Sequence, residues 1–165
     1  MTVRTPDPVK DFLRSAVERR IEVKRHKRRL ALLESQCTQI PAPPSAAPGG
    51  GGDTHGRESL WAALADAREE EARLIKAELE QYRTVELFIK YIPDTTHRTL
   101  LRLRYLEGMS WTKLQFALCD EGVYYSDRHL RRIHDAAVEE ARKLWREPGP
   151  WQEALTEGGE TWDAN

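Results

Sequence analysis

Cysteine is scarce in this 165-residue chain, and long apolar runs are missing. The only two cysteines, Cys37 and Cys119, are too few for a disulfide framework or a four-ligand zinc site. No apolar run approaches the ~18 residues of a membrane span. Thr2, Arg4 and Asp7 stand where a signal peptide would need its apolar core. We therefore expect a cytoplasmic protein that does not enter a membrane.

The charge is almost balanced, which limits how the chain could recognise a polyanion. There are 26 Lys and Arg residues against 27 Asp and Glu, a net charge of −1. A basic field around the whole molecule is thereby excluded, so any affinity for nucleic acid must come from a local cluster. Charged residues make up 32% of the chain and apolar ones 39%, which favours helices with solvated faces over buried strands. We predict an all-α fold.

Proline and glycine are concentrated in residues 40–56, which read IPAPPSAAPGGGGDTHG. The four prolines and five glycines of this segment cannot hold a helix, and they predict a flexible linker. The glycine run lacks the Lys followed by Ser or Thr of a phosphate-binding loop, which argues against a nucleotide site.

The pattern predicts one long helix on each side of this linker. Asp7 and Pro8 are typical of a helix start, and apolar residues then recur every three or four positions to about residue 36. Residues 57–91 lack Gly and Pro and carry a second apolar stripe. The first helix is basic and the second is acidic. We therefore predict that residues 7–92 form a two-helix stalk, a coiled-coil-like antiparallel hairpin that could also join copies of the chain.

This pattern stops at Pro93, and shorter elements follow. We predict three helices, over 95–107, 111–118 and 127–145. Gly108 ends the first, Ser110 caps the second, and Ser126 caps the third. Residues 94–147 would form a C-terminal domain.

The last segment, residues 148–165, begins with Pro-Gly-Pro and contains four acidic and no basic residues. Such a composition gives little apolar surface to bury. We predict a disordered acidic tail.

The last two predicted helices, one short and one longer with clustered arginines, are typical of a helix-turn-helix. At about 100° per residue, Leu130, Ile133 and Ala137 mark the buried side of the longer helix. The other side carries three arginines, Arg128, Arg131 and Arg132. Asp135 lies among them and could either fix their rotamers or reject phosphate at one edge. Guanidinium groups there could reach guanine edges and phosphates. The arginines alone would equally fit a solvated face of a helical bundle.

Two segments resemble known families. Residues 100–114, LLRLRYLEGMSWTKL, look like the start of a region-4-type sigma-factor domain, with a Leu-Arg-Tyr helix end, a Gly turn and a short helix. Residues 125–134, YSDRHLRRIH, followed by Ala137, resemble phage transcriptional activators of the RinA and ArpU type. Leu114 and Leu130 are separated by 15 residues, about five more than in a compact helix-turn-helix, so the chain departs from the family at the turn.

The resemblance implies a sequence-specific, DNA-binding activator of late phage or prophage genes, with host RNA polymerase as a further partner. Double-stranded DNA would lie against the longer helix and meet the three arginines. His129 and Lys113 would support contacts to the DNA backbone, and Ser126 would cap a helix whose dipole faces phosphate. We expect no cofactor, and a location in the host cytosol at the nucleoid.

The other candidate residues have structural explanations. Five of them follow apolar helix faces and are predicted core residues: Leu101, Tyr105, Trp111, Leu114 and Leu118. His129 and His134 are five residues apart and share no helical face, which argues against a metal site. No catalytic arrangement of Ser/His/Asp, HExxH or paired carboxylates stands out, so we expect no enzyme.

Residues 24–29, KRHKRR, are six consecutive basic or titratable residues, and they must wrap most of a helix. Part of this segment could pair with the acidic residues in 66–71, and the rest could touch a DNA backbone. We favour pairing and solvation over a dedicated DNA site.

Two other functions fit the same elements. A phage terminase small subunit also combines a helix-turn-helix with coiled-coil helices, and it assembles into rings for DNA packaging. A coiled-coil adaptor would bind protein only, without DNA.

Overall fold

The computed structural model describes residues 7–39, 54–119, 125–147 and 149–157. Over these ranges the fold is all-α, as predicted, with no strand. The helices there are α1 (Pro8–Gln39), α2 (Thr54–Lys90), α3 (Thr95–Leu101) continuing into a π-helical segment (Arg102–Leu106), α4 (Trp111–Cys119), α5 (Asp127–Arg146) and α6 (Pro150–Glu157). None of these helices is both long and apolar enough to cross a membrane.

Parts of three predicted segments lie outside the described residues. These parts are residues 40–53 of the linker, residues 120–124 of the turn between α4 and α5, and residues 148 and 158–165 of the tail. Residues 54–56, at the end of the predicted linker, belong to α2, which begins at Thr54.

The chain divides into two compact units, and the division falls within the long helices. Unit 1 holds Met1–Glu18 and Leu79–Asn165, and unit 2 holds Arg19–Glu78. The predicted boundary at Pro93, between a stalk of residues 7–92 and a domain of 94–147, is therefore corrected. The physical reason is that the start of α1 and the end of α2 bury their apolar residues in the same core as α5.

The core of unit 1 has an aromatic centre. Phe12, Phe88, Trp145 and Trp151 have ring centroids 4.9–6.5 Å apart. Such pairs contribute about 0.5–1.5 kcal/mol each beyond their buried area. Buried aliphatic residues surround them, among them Val9, Leu13, Val85, Ile89, Ile92, Leu101, Leu106 and Val138. This core joins α1, α2, the segment after α3, α5 and α6.

Helix α6 corrects the prediction of a disordered tail over residues 150–157. Its Trp151 is only 5% exposed and packs against Phe88 and Trp145. Pro150 occupies the first helical position, where its fixed φ and missing N–H suit a helix start. The acidic composition concealed this contact, because only two residues of α6, the buried Trp151 and the partly buried Leu155, pack against the core.

Local capping signals place the shorter helices where the sequence predicts them. Gly108, at φ +69°, ends the π-helical segment in the left-handed region that favours glycine. Each capping oxygen accepts a backbone N–H three residues on: Asp94 from His97 at 2.8 Å, Ser110 from Lys113 at 3.3 Å, and Ser126 from His129 at 3.3 Å. The predicted caps Ser110 and Ser126 are confirmed.

Unit 2 consists of two antiparallel helical segments. Arg20 pairs with Glu78 at 3.4 Å, and Glu34 pairs with Arg68 at 3.1 Å. The later residue of α1 thus pairs with the earlier residue of α2, so the two helices run in opposite directions. Its small core holds Leu30, Cys37, Leu64 and Ala67. Packing of a few apolar side chains therefore holds this unit, with ion pairs at its edges.

We predict that Trp151→Ala lowers the free energy of unfolding by about 3–5 kcal/mol, because it empties a site in the aromatic centre. Trp151→Phe should cost less, since it keeps a ring and removes an indole N–H that is buried without a hydrogen-bond partner among the described residues. Urea unfolding followed by circular dichroism measures both. Trp61→Ala, at a 55% exposed tryptophan, is the control and should change the value by less than about 0.5 kcal/mol. Equal stability of Trp151→Ala and the unmodified chain would show that α6 does not dock.

Candidate nucleic-acid interface

One face of α5 is buried, and this burial decides where its other side chains point. The buried residues repeat at helical spacing: Leu130, His134, Ala137, Val138 and Ala141. They pack α5 against α3 and α4. Leu130 and Ala137 are buried as predicted, whereas Ile133 is only half-buried and His134 takes the inner position.

Two side-chain contacts fix α5 within unit 1. The Arg142 guanidinium donates to the Asp7 carboxylate at 2.6 Å, and the His97 ring contacts Glu140 at 2.6 Å. Burial alone would raise the pKa of Asp7, but hydrogen bonds from Arg142 and the Lys10 backbone outweigh it and lower that pKa below its ordinary value. The same contact raises the pKa of Arg142. The orientation of α5 is therefore set by both apolar packing and charge.

The three predicted arginines of α5 have different surroundings. Arg128 and Arg132 are exposed, and no side chain in the described part of the chain pairs with either of them. Arg131 is engaged, since its Nε donates to the Asp127 carboxylate at 2.9 Å. Its guanidinium also lies over the Trp111 ring, 4.9 Å from the centroid. Two of the three arginines are thus available to an external anion.

Asp135 does not fix the arginines, which corrects the role expected for it. Its carboxylate makes a long contact of 3.5 Å with His134 Nδ1. Asp127 takes the expected role instead, four residues before Arg131 on the same helix. This i,i+4 spacing is readable from the sequence and could have revealed the pair.

Trp111 is half-buried and lies outside the core, contrary to the prediction. Two guanidinium groups lie over its ring, Arg104 at 5.0 Å and Arg131 at 4.9 Å, and the His134 ring meets it edge-on at 5.2 Å. Cation–π contacts of this kind are worth about 0.5–2 kcal/mol. Trp111 therefore joins α4 to α5 through Arg131. Among the other predicted core residues, Leu101, Tyr105 and Leu114 are buried, and Leu118 is half-buried.

His134 is a buried titratable group beneath the outer face of α5. Its Nε2 lies 3.0 Å from the Tyr105 hydroxyl, which can donate to it when the ring is neutral. Burial lowers the pKa of His134, and the opposing effect of Asp135 is too weak to restore it. Folding therefore favours the neutral form of the His134 ring.

His129, Ser126 and Lys113 were the remaining predicted DNA-binding residues. His129 is exposed and stacks on Tyr125, with centroids 5.7 Å apart and planes at 13°. Ser126 is committed to capping α5. Lys113 is exposed on α4, and within the described ranges no contact joins its side chain to the α5 residues.

Tyr125 and Gln115 were not predicted to take part. The Gln115 amide donates to the Tyr125 carbonyl at 2.8 Å, which ties α4 to the start of α5. No sequence pattern signals this bond, because it spans residues 120–124. Over the described residues, no group of three or more His, Cys, Asp or Glu could hold a metal ion.

Comparison of the chain with known protein families, with curated proteins and with solved structures finds no match.

We predict that acidification destabilises unit 1 through His134. Because its folded-state pKa is lowered, the unfolded chain takes up a proton first as the pH falls below the ordinary value of 6.5. The contribution of His134 to the free energy of unfolding is complete above that pH. As the pH falls further, the free energy of unfolding decreases by at most about 1.4 kcal/mol per pH unit, until the folded-state pKa of His134 is reached. Urea unfolding of the chain and of His134→Gln across this range measures the difference. An identical pH dependence for the two proteins would contradict the assignment.

Proposed function

We propose that this protein is a sequence-specific DNA-binding transcriptional activator of phage or prophage genes. In this proposal α4 and α5 form a helix-turn-helix, and α5 enters the major groove of duplex DNA. The protein acts by binding, without catalysis or cofactor.

The observation that carries the proposal is the state of Arg128 and Arg132. Both are exposed, and both lack a carboxylate partner in the described part of the chain, although acidic residues are frequent nearby. They are about 40° apart around the helix and about 6 Å apart along it, so one groove can receive both. A guanidinium without an internal partner is free to form the bidentate bonds that read guanine.

The start of α5 supports the same orientation. Ser126 satisfies one N–H of the first turn, and the helix dipole there favours a phosphate group. His129 and Lys113 would add contacts to the backbone of DNA. Arg131 would act as a positioning residue, because it holds α4 to α5 through Trp111.

The regulatory part of the proposal rests on resemblance. Residues 100–114 resemble sigma region 4, and residues 125–134 resemble RinA- and ArpU-type activators. Region-4-like domains suit contact with host RNA polymerase, so polymerase is the proposed protein partner.

A phage terminase small subunit is the second candidate, and one observation favours it. Several large apolar side chains are exposed on the long helices within unit 2: Ile21, Leu32, Trp61 and Ile75, at 40–60% exposure. Exposed apolar surface of this kind is typical of chains that assemble. An assembled ring would support DNA packaging over gene activation.

We predict that Arg128→Ala and Arg132→Ala each weaken binding to a duplex selected from random sequences by about 1–3 kcal/mol. Helicity should not change, because neither side chain is packed. Arg146→Ala is the matched control, because it removes the same charge. Arg146 is exposed on the same face of α5 as Arg128, about 27 Å from it along the helix axis. Fluorescence anisotropy measures the affinities. Unchanged affinity of both variants for the selected duplex would show that this face of α5 does not contact DNA.

We predict a monomer or dimer in solution, as expected for an activator that reads one or two half-sites. Light scattering coupled to size-exclusion chromatography gives the mass directly. A ring of about eight or more copies would instead establish the packaging candidate.

A further inference from the structure

The basic segment 24–29 on α1 presents charges that the fold does not neutralise. Five of its side chains are exposed: Lys24, Arg25, Lys27, Arg28 and Arg29. None of the five forms an ion pair or hydrogen bond with another described residue. The pairing expected between this segment and the acidic residues in 66–71 is therefore corrected.

Four acidic residues of unit 2 pair with basic residues outside the segment 24–29. Glu69 and Glu70 pair with Arg73 on their own helix, at 3.9 and 3.3 Å. Glu34 and Glu78 pair with Arg68 and Arg20. These four carboxylates thus have other partners. Asp66 and Glu71 make no ion pair with the basic segment in the described part of the chain, so its charge is left to solvent.

His26 fixes the direction in which the basic segment points. Its ring donates to the Ala67 carbonyl at 2.7 Å, so the His26 side of α1 faces α2. At about 100° per residue the five cations spread over an arc of about 200° on the remaining surface. Their span along the axis is about 7.5 Å, at 1.5 Å per residue. The result is a compact, outward-facing cationic surface on a rigid helix.

We propose that this surface binds the phosphate backbone of duplex DNA, independently of base sequence. The choice of DNA as the polyanion rests on the proposed function, whereas the surface itself is defined by unit 2 alone. Charge complementarity carries the assignment, because the five cations have no partner among the described residues of a chain whose net charge is −1. Displacement of counterions from DNA would supply the binding free energy.

A membrane surface is the less favoured polyanion. A helix that lies in a bilayer interface needs a free apolar face beside its basic one. In α1, Val23 and Leu30 beside the basic segment are buried, and the exposed Ile21 and Leu32 are two single residues eleven positions apart, which do not make a continuous apolar face. Phosphates of a nucleic acid need no such face.

The test measures binding of the full chain to a short random-sequence duplex and to a selected-site duplex, over salt from about 0.05 to 0.2 M. The test variant changes all five cations to Gln: Lys24→Gln, Arg25→Gln, Lys27→Gln, Arg28→Gln and Arg29→Gln. The control changes five other exposed basic residues: Arg19→Gln, Arg73→Gln, Lys76→Gln, Arg83→Gln and Lys90→Gln. Both alter the net charge equally.

We expect the test variant to bind the random duplex at least tenfold more weakly near 0.1 M salt. The slope of log affinity against log salt should fall by about 3–4.5, since each lost phosphate contact removes about 0.9. The control should change the slope by less than about 1. A variant with Lys24→Arg and Lys27→Arg, which keeps every charge, should bind as the unmodified chain does.

Three results would overturn the inference. Equal salt slopes for the test variant and the control would show that residues 24–29 do not contact DNA. The proposed function would still stand in that case if Arg128→Ala weakened binding to the selected site. No binding of the unmodified chain to either duplex would contradict both this inference and the proposed function. Binding of the unmodified chain to vesicles containing phosphatidylserine but to neither duplex, abolished in the test variant alone, would assign the surface to membranes.

Discussion

Burial of one face of α5 is the constraint on which the candidate interface depends. Leu130, Ala137, Val138 and Ala141 pack inward, and the Asp7–Arg142 ion pair holds the other half of the helix. With the helix fixed in this way, Arg128 and Arg132 must point to solvent. Their availability is thus a consequence of core packing and does not depend on any residue of the interface itself.

Charge in this protein falls into two classes. Some guanidinium groups are engaged within the fold, as Arg131 is with Asp127 and Trp111, and Arg142 is with Asp7. Others have no side-chain partner within the ranges that the structure describes, namely Arg128 and Arg132 on α5 and the five cations of residues 24–29 on α1. The engaged groups orient helices. The unengaged groups carry both proposed contacts with DNA, one that reads bases and one that meets only the backbone.

Local signals made the helices and their caps predictable, whereas contacts between distant residues were not. Ser110 and Ser126 act within one helical turn, and Leu130 and Ala137 follow the helical period, so the pattern located them. The docking of Trp151, the half-buried position of Trp111 and the unit boundary within α1 and α2 depend on residues far apart in sequence. The same holds for the basic segment, because composition cannot show that Glu69 and Glu70 pair with Arg73 on their own helix. The Asp127–Arg131 pair was also readable from the sequence, because the two residues are four positions apart on one helix.

A nuclear magnetic resonance titration of the full chain with a duplex selected from random sequences tests DNA binding through α5 most directly. Amide resonances of residues 125–132 should then show the largest changes, with a second group at residues 24–29. Resonances of α6, which lies in the core, should move little. Changes confined to the α2 surface, or no change at a duplex excess, would contradict recognition of DNA by this helix.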